Sequence, residues 1–256
     1  MIYRHLPNKP DYSDFASGKV LVGLPGQVAT PLRLVDELFQ SGLEALGAAG
    51  VTVPVTLYDP CCGTAYHLAA LAFLHGSSIG TILASDVNAT VLAIAQRNLD
   101  LLTLAGLDQR TAAIQQAYAA YGKSSHRAAL HAAGRLRVVL ETRAPPAIET
   151  RVFESNVFNP AAGFGNTAPH TVSLVLTDLP YGQGSRWQTP WLETEVAISD
   201  TQLANHLLTV LEPILQPKAV VCLLAPKTVK VSLDRFKPLR RFSAGKRLGI
   251  IMQAIN

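Results

Sequence analysis

Cysteine is scarce in this chain. Only Cys61, Cys62 and Cys222 occur in 256 residues, and two of them are adjacent. A disulfide framework or a structural zinc site needs paired spacings that are missing here, so a reducing cytoplasm is the expected compartment. Charge is sparse too, at 16% of residues against 48% hydrophobic. That balance excludes wholesale disorder and implies a large core under a modest polar shell. Long apolar runs are absent: Leu68 to Leu74 falls far short of the roughly 20 residues that span a bilayer. Met1 to Asp14 is polar, without the apolar core of a signal peptide. The seven histidines are scattered and suggest no metal site. Without an internal repeat or an inter-domain linker, the chain reads as one α/β domain over residues 1–256, expected to be a monomer.

What charge there is lies unevenly. The net charge is +4, yet residues 1–107 and 152–217 are net acidic, whereas 108–151 and 218–256 are net basic. Residues 218–256 carry nine Lys or Arg against one acid, among them Lys227, Lys230, Arg240, Arg241, Lys246 and Arg247. Two basic regions flanking an acidic body suit a long polyanion, because each neutralised phosphate releases counterions. A solvated surface gives the same pattern, and charge alone does not separate the two.

Apolar periodicity predicts a helix over Thr30 to Leu46, with Pro31 at its first position. Val51 to Tyr58 is β-branched and reads as a strand. Ala65 to His75 is apolar nearly all round and reads as a helix buried against a sheet. Thr81 to Ser85 reads as the next strand, and Asn88 as the cap of a helix with a stripe at Val91, Ala95, Asn98, Leu99 and Leu102. Residues 108–147 are Ala-rich, basic and without a strand run. They read as one or two inserted helices ended by Pro145-Pro146. Further strands are expected at Glu149 to Phe153, Thr171 to Leu176, Ala219 to Ala225 and Leu248 to Ile255, with a helix over Thr201 to Leu215. Asn159 to Pro169 reads as a loop, and Pro226 to Arg247 as a basic segment before the last strand. Strands alternating with helices imply a mostly parallel sheet with helices on both faces.

Two strand ends carry the chemistry. Ligands of an open α/β sheet sit beyond the carboxyl ends of its strands. Asp59-Pro60-Cys61-Cys62-Gly63 occupies that place after the first strand, where Gly63 allows close backbone approach and Asp59 accepts from a ligand ammonium. Asp86 ends the second strand, where a carboxylate takes both hydroxyls of a ribose. With only one glycine in the turn, a pyrophosphate cradle is disfavoured and S-adenosylmethionine is favoured over NAD. A turn residue for Asp59 and a helix cap for Asp86 are the bland alternatives. Cys61 and Cys62 read as small packing residues.

The second end is Thr177-Asp178-Leu179-Pro180-Tyr181-Gly182. Base amines are poor nucleophiles because their lone pair is delocalised into the ring. Asp178 supplies a carboxylate to accept a hydrogen bond from an amine, Leu179 a main-chain carbonyl constrained by Pro180, and Tyr181 a face for a flipped base. A ring-nitrogen target, whose proton Asp178 would receive, is also open. No cysteine follows Pro180, which disfavours attack through a cysteine adduct. In the loop beyond, Arg186 suits a phosphate, and Trp187 and Trp191 suit either a stacked nucleotide or anchorage to the core.

These two ends resemble class I S-adenosylmethionine-dependent methyltransferases, whose Rossmann-like fold has a seven-stranded, mostly parallel sheet. Asp178 to Tyr181 is similar to their (Asp/Asn)-Pro-Pro-Tyr signature, with Leu179 replacing the first proline. Across nearly the whole chain the order of features resembles the avilamycin-resistance ribosomal RNA guanine methyltransferases, the AviRa type. The resemblance is carried by Tyr3-Arg4-His5, Pro31-Leu32-Arg33-Leu34, Asp59 to Gly63, Ala84-Ser85-Asp86-Val87, the inserted helices, Asn156-Val157-Phe158 and Leu176 to Gly182. It implies S-adenosylmethionine held by Asp59 to Gly63, Asp86, Asn156, Val157 and Asp178, a guanine of 23S rRNA as target, and protection against an orthosomycin antibiotic. Departures are Thr64 and Ala65 where the family has Ser-Gly, and Asn156 where it has Asp. Both bear on cofactor affinity. A DNA or protein-glutamine methyltransferase fits the second motif as well, and a non-catalytic RNA-binding relative remains open on Asn156.

Overall fold

In the computed structural model, which describes residues 3–24, 30–143, 147–159, 164, 167–180, 187 and 198–255, the β-branched runs become strands of one sheet. They are β1 (Val55–Asp59), β2 (Ile79–Asp86), β3 (Glu149–Glu154), β4 (Val172–Asp178), β5 (Leu215–Pro226), β6 (Phe236–Ala244) and β7 (Arg247–Ala254). Their spatial order is β3-β2-β1-β4-β5-β7-β6. The first five lie parallel, while β7 runs antiparallel to both β5 and β6. Chain order reverses between β1 and β4, which opens a crevice at their carboxyl ends.

Among the described residues six α-helices accompany the sheet: α1 (Leu32–Ala48), α2 (Tyr66–His75), α3 (Ala89–Asp100), α4 (Leu104–Tyr121), α5 (Ser124–Thr142) and α6 (Asp200–Leu211). They cover its faces unequally. One core cluster joins α1, α2, α3 and α5 to inward residues Leu57, Ile82, Leu174 and Cys222. The other packs α6 against Tyr58, Leu83, Val175 and Val221 on the opposite face. Alternate residues of β1, β2, β4 and β5 thus face opposite sides, so these strands are apolar on both. Leu68 to Phe73 of α2 are all buried, as its all-round hydrophobicity requires.

Several boundaries differ from the sequence reading. Helix α1 starts at Leu32, and Pro31 flanks it, accepting from the Leu34 and Val35 amides through its carbonyl. Strand β1 starts at Val55, after Pro54, which has no N–H for the ladder. The insertion is a helical hairpin that starts earlier than expected, at Leu104. Helix α6 stops at Leu211 and passes into a 3-10 turn containing Pro213. The basic segment before β7 contains a further strand, β6, at the sheet's edge.

Long-range polar contacts tie the N-terminal segment down. Buried Glu37 accepts from the amides of Arg4, His5 and Leu6 and pairs with Arg240 at 3.1 Å. Asn98, fully buried, bonds both the amide and the carbonyl of Val22 at 2.8 Å and the Thr64 carbonyl at 2.9 Å. Both satisfy the rule that buried polar groups need partners. Among the described residues, no helix is long and apolar enough to cross a membrane.

Candidate active site

The turn after β1 is built around Asp59, whose carboxylate is wholly buried and accepts from the Cys61 amide at 3.0 Å. Gly63 has a φ of 53°, a left-handed conformation in which a side chain would be strained. Its amide donates to Asp86 Oδ2 at 2.9 Å, which ties the turn to the end of β2. The other Asp86 oxygen accepts from the Asn88 amide at 3.0 Å, and Asn88 caps α3 by accepting from Thr90. Asp86 therefore sits in the site and also orders the start of α3. The Cys62 amide donates to the Ser85 carbonyl at 2.9 Å, a second bridge between the two strand ends.

Ala65 follows in the left-handed region, with φ 50° and ψ 23° and no exposed surface. This position is one of the departures noted above. An L-residue there costs about 1 kcal/mol where glycine does not. The packed turn, pinned by Asn98 at the neighbouring Thr64, holds it.

Asp178 ends β4 and faces this turn. Its Oδ2 accepts from the Thr30 hydroxyl and lies 3.2 Å from Arg247 Nη1. Oδ1 is buried and has no hydrogen-bond partner among the described residues. Burial holds the carboxyl above its ordinary value of 3.8, opposed by Thr30, Arg247 and His67 and reinforced by Asp59. Burial raises Asp86 in the same way, with backbone N–H groups opposing. The Cys61 and Cys62 thiols are pushed up by burial first and by nearby Asp59 and Asp86 next, so they stay protonated and serve as packing.

His67, in the first turn of α2, was not singled out in the sequence. Its Nε2 lies 2.8 Å from Asp59 Oδ2, yet both atoms lack an aligned hydrogen bond. Thr30 was missed as well, because a contact across 148 residues leaves no local pattern. Asn98 did leave one: an amide set in an otherwise apolar helical stripe.

Three carboxylates thus surround one turn, and two of their buried oxygens, Asp59 Oδ2 and Asp178 Oδ1, lack hydrogen bonds among the described residues. A cationic, hydroxyl-bearing ligand fits this set: the carboxylates answer its positive charge and Asp86 its hydroxyls. Among the described residues, no three His, Cys, Asp or Glu side chains are placed to hold a metal ion.

Asn156 and Val157 lie just past β3, beside Asp86, where the Ser155 amide donates to the Asp86 carbonyl. The Asn156 side-chain oxygen accepts from its own loop, at the Phe158 amide. Val157 is buried. Leu179 is buried, with its amide on the Leu224 carbonyl, and Pro180 follows half-buried. Tyr181, Arg186, Trp191 and Pro145-Pro146 lie outside the described residues. Trp187 is 8% exposed and packs on Phe158 with ring centroids 5.2 Å apart.

The basic residues fall into two groups. Lys227 and Lys230 follow β5 at the carboxyl edge and are exposed. Arg247 pairs with Pro226 across the sheet, so the β6–β7 turn bearing Lys246 is at that edge too. Arg240 and Arg241 lie farther down the edge strand. Arg240 reaches Glu37 and Ser41, while Arg241 donates to the Val229 carbonyl at 2.6 Å.

Comparison with known proteins adds to this geometry. The family model for the rRNA methyltransferase AviRa matches residues 1–247. A relative named 23S rRNA (guanine(2535)-N(1))-methyltransferase, from Streptomyces viridochromogenes, is 36% identical over 252 residues, 98% of this chain and 96% of its own. Two solved structures of rRNA methyltransferase aviRa from the same organism match with TM-scores of 0.82 at 35% identity, covering 99% of this chain and 96% of theirs.

Proposed function

Because the chain belongs to the AviRa family of rRNA methyltransferases, we propose that it methylates N1 of a guanine in 23S rRNA, using S-adenosylmethionine in the cytoplasm. The observation that carries this reading is the half-buried Asp178 carboxylate, with one oxygen engaged and the other, beside the β1 turn, without a hydrogen-bond partner among the described residues. S-adenosylmethionine supplies an activated methyl group on a sulfonium when bound. Asp86 would take its ribose hydroxyls, the backbone around Gly63 would hold it, and Asp59 and Asp178 would answer its positive charge. Asn156, beside Asp86, offers its neutral amide toward the adenine.

Guanine N1 carries a proton, and its electrons are shared with the ring. Asp178 Oδ1 is the acceptor for that proton, and a carboxyl whose affinity for protons is raised by burial is the better base. The Leu179 carbonyl receives the neighbouring amine, and Tyr181 stacks the base once it leaves its helix. Holding the nitrogen in line supplies much of the rate. Lys227, Lys230 and Lys246, exposed at the same edge, meet phosphates.

Methylation at N1 removes a Watson–Crick donor, so reverse transcription of treated 23S rRNA should stop beside one guanine. A methylated product without such a stop would move the target to another atom and remove the proton-acceptor role.

A further inference from the structure

The α4–α5 hairpin, inserted between α3 and β3, has no part in the site described so far. Three contacts place it relative to the catalytic edge. Arg143, just past α5, donates to the Ala72 carbonyl late in α2 at 2.6 Å. Arg135, about two turns earlier, pairs with Asp14. The adjacent Phe15 carbonyl accepts from the Tyr66 hydroxyl at the start of α2. Helix α5 thus runs alongside α2 in the same direction, and Arg135 is level with the residues that follow the Gly63 turn. At 1.5 Å per residue, the start of α5 at Ser124 stands roughly 16 Å beyond that level. The tip therefore projects beyond the level of the edge that carries Asp59, Asp86 and Asp178.

The tip presents Tyr121, 71% exposed, at the last position of α4. Gly122 follows with φ 60°, which turns the chain toward α5 without strain. A single exposed aromatic is ordinary, but this one is set among cations. The Lys123 ammonium is 5.7 Å from its ring centroid, the His126 ring is 6.3 Å away, and Arg127 is exposed next to it. From Gln109 to Leu140 the chain has no Asp or Glu. Arg110, Arg135 and Arg137 are engaged lower down, on Lys19 and Val20, Asp14, and Asp108 and Glu141. Neither Lys123 nor Arg127 has an acidic partner among the described residues.

We propose that this tip is a second RNA-contact site, where an unpaired base of the substrate stacks on Tyr121 while Lys123 and Arg127 meet the flanking phosphates. It rests on the reading of the substrate as rRNA. Every base has a π-face, so the tip adds grip without choosing sequence, and its cations add a salt-dependent part. RNA held both at the tip and at the catalytic edge would be fixed in orientation before a base enters.

The test compares binding of transcribed 23S rRNA to the full chain and to Tyr121→Ala, Tyr121→Phe and the pair Lys123→Ala with Arg127→Ala. S-adenosylmethionine affinity is measured alongside. Tyr121→Ala should weaken RNA binding about tenfold, and Tyr121→Phe should stay within about twofold of the parent. The paired charge variant should lower the salt slope by about two. Cofactor affinity should not change. Unaltered RNA affinity and salt slope in all variants, with a parent that binds and methylates 23S rRNA, would overturn the tip site and leave the function standing. A parent that neither binds nor methylates 23S rRNA would overturn both.

Discussion

Thr30 donates to Oδ2 of Asp178, joining the start of α1 to the end of β4 across 148 residues of sequence. Arg247 approaches the same oxygen from the β6–β7 turn at 3.2 Å. Two elements far apart in sequence therefore fix one carboxylate oxygen and leave the other for the base. Both partners favour the ionised form against the effect of burial.

A pH prediction follows from that opposition. Thr30→Val and Arg247→Gln each remove a group that lowers Asp178, so its pKa should rise further above 3.8. The acid limb of kcat/KM for RNA methylation should move to higher pH in both variants. Loss of folded protein would lower the plateau and leave the limb where it was.

Asp178→Asn separates activity from stability. Without a proton acceptor, methyl transfer should fall about a thousandfold, while S-adenosylmethionine binding weakens but stays measurable. A raised folded-state pKa means that the Asp178 contribution is most favourable below the unfolded value and is lost as pH rises through the folded one. At neutral pH the ionised, half-buried carboxylate is therefore a net cost. The variant should be at least as heat-stable as the parent at pH 7, and a lower Tm there would refute this.

Asn98→Ala should destabilise the fold by about 3 kcal/mol, since it leaves Val22 and Thr64 with unmet polar groups in the interior. Chemical denaturation measures that loss. The KM for S-adenosylmethionine should rise with it, because Asn98 holds the turn that carries Gly63.

The exposed and engaged basic residues should behave differently. Lys227→Ala and Lys230→Ala should weaken RNA binding and lower the salt slope by about one each, with stability unchanged. Arg240→Ala takes a partner from buried Glu37 and should cost about 2 kcal/mol of stability. An Arg240→Ala variant with normal stability and a flattened salt slope would return Arg240 to the phosphate-binding group.

Much of this was legible in the sequence because the relevant signals are local. The β-branched runs before Asp59 and Asp178 marked the two strand ends, and Asn88 marked the start of α3. Strand β6 was not legible. It is an edge strand with one neighbour, carries Pro238 and is interrupted by Lys237, Arg240 and Arg241, so it lacks the continuous apolar run of a central strand. Thr30, His67 and Glu37 act through contacts made only on folding. The density of Arg240 and Arg241 pointed to phosphate, yet Arg240 faces an internal acid, which charge counting along the chain does not reveal.

Transfer of labelled methyl from S-adenosylmethionine to 23S rRNA, tRNA and duplex DNA, side by side, tests the central claim most directly. Label confined to 23S rRNA, at N1 of one guanine, is the predicted result. Label in tRNA or DNA instead, or in none of them despite measured cofactor binding, would contradict it.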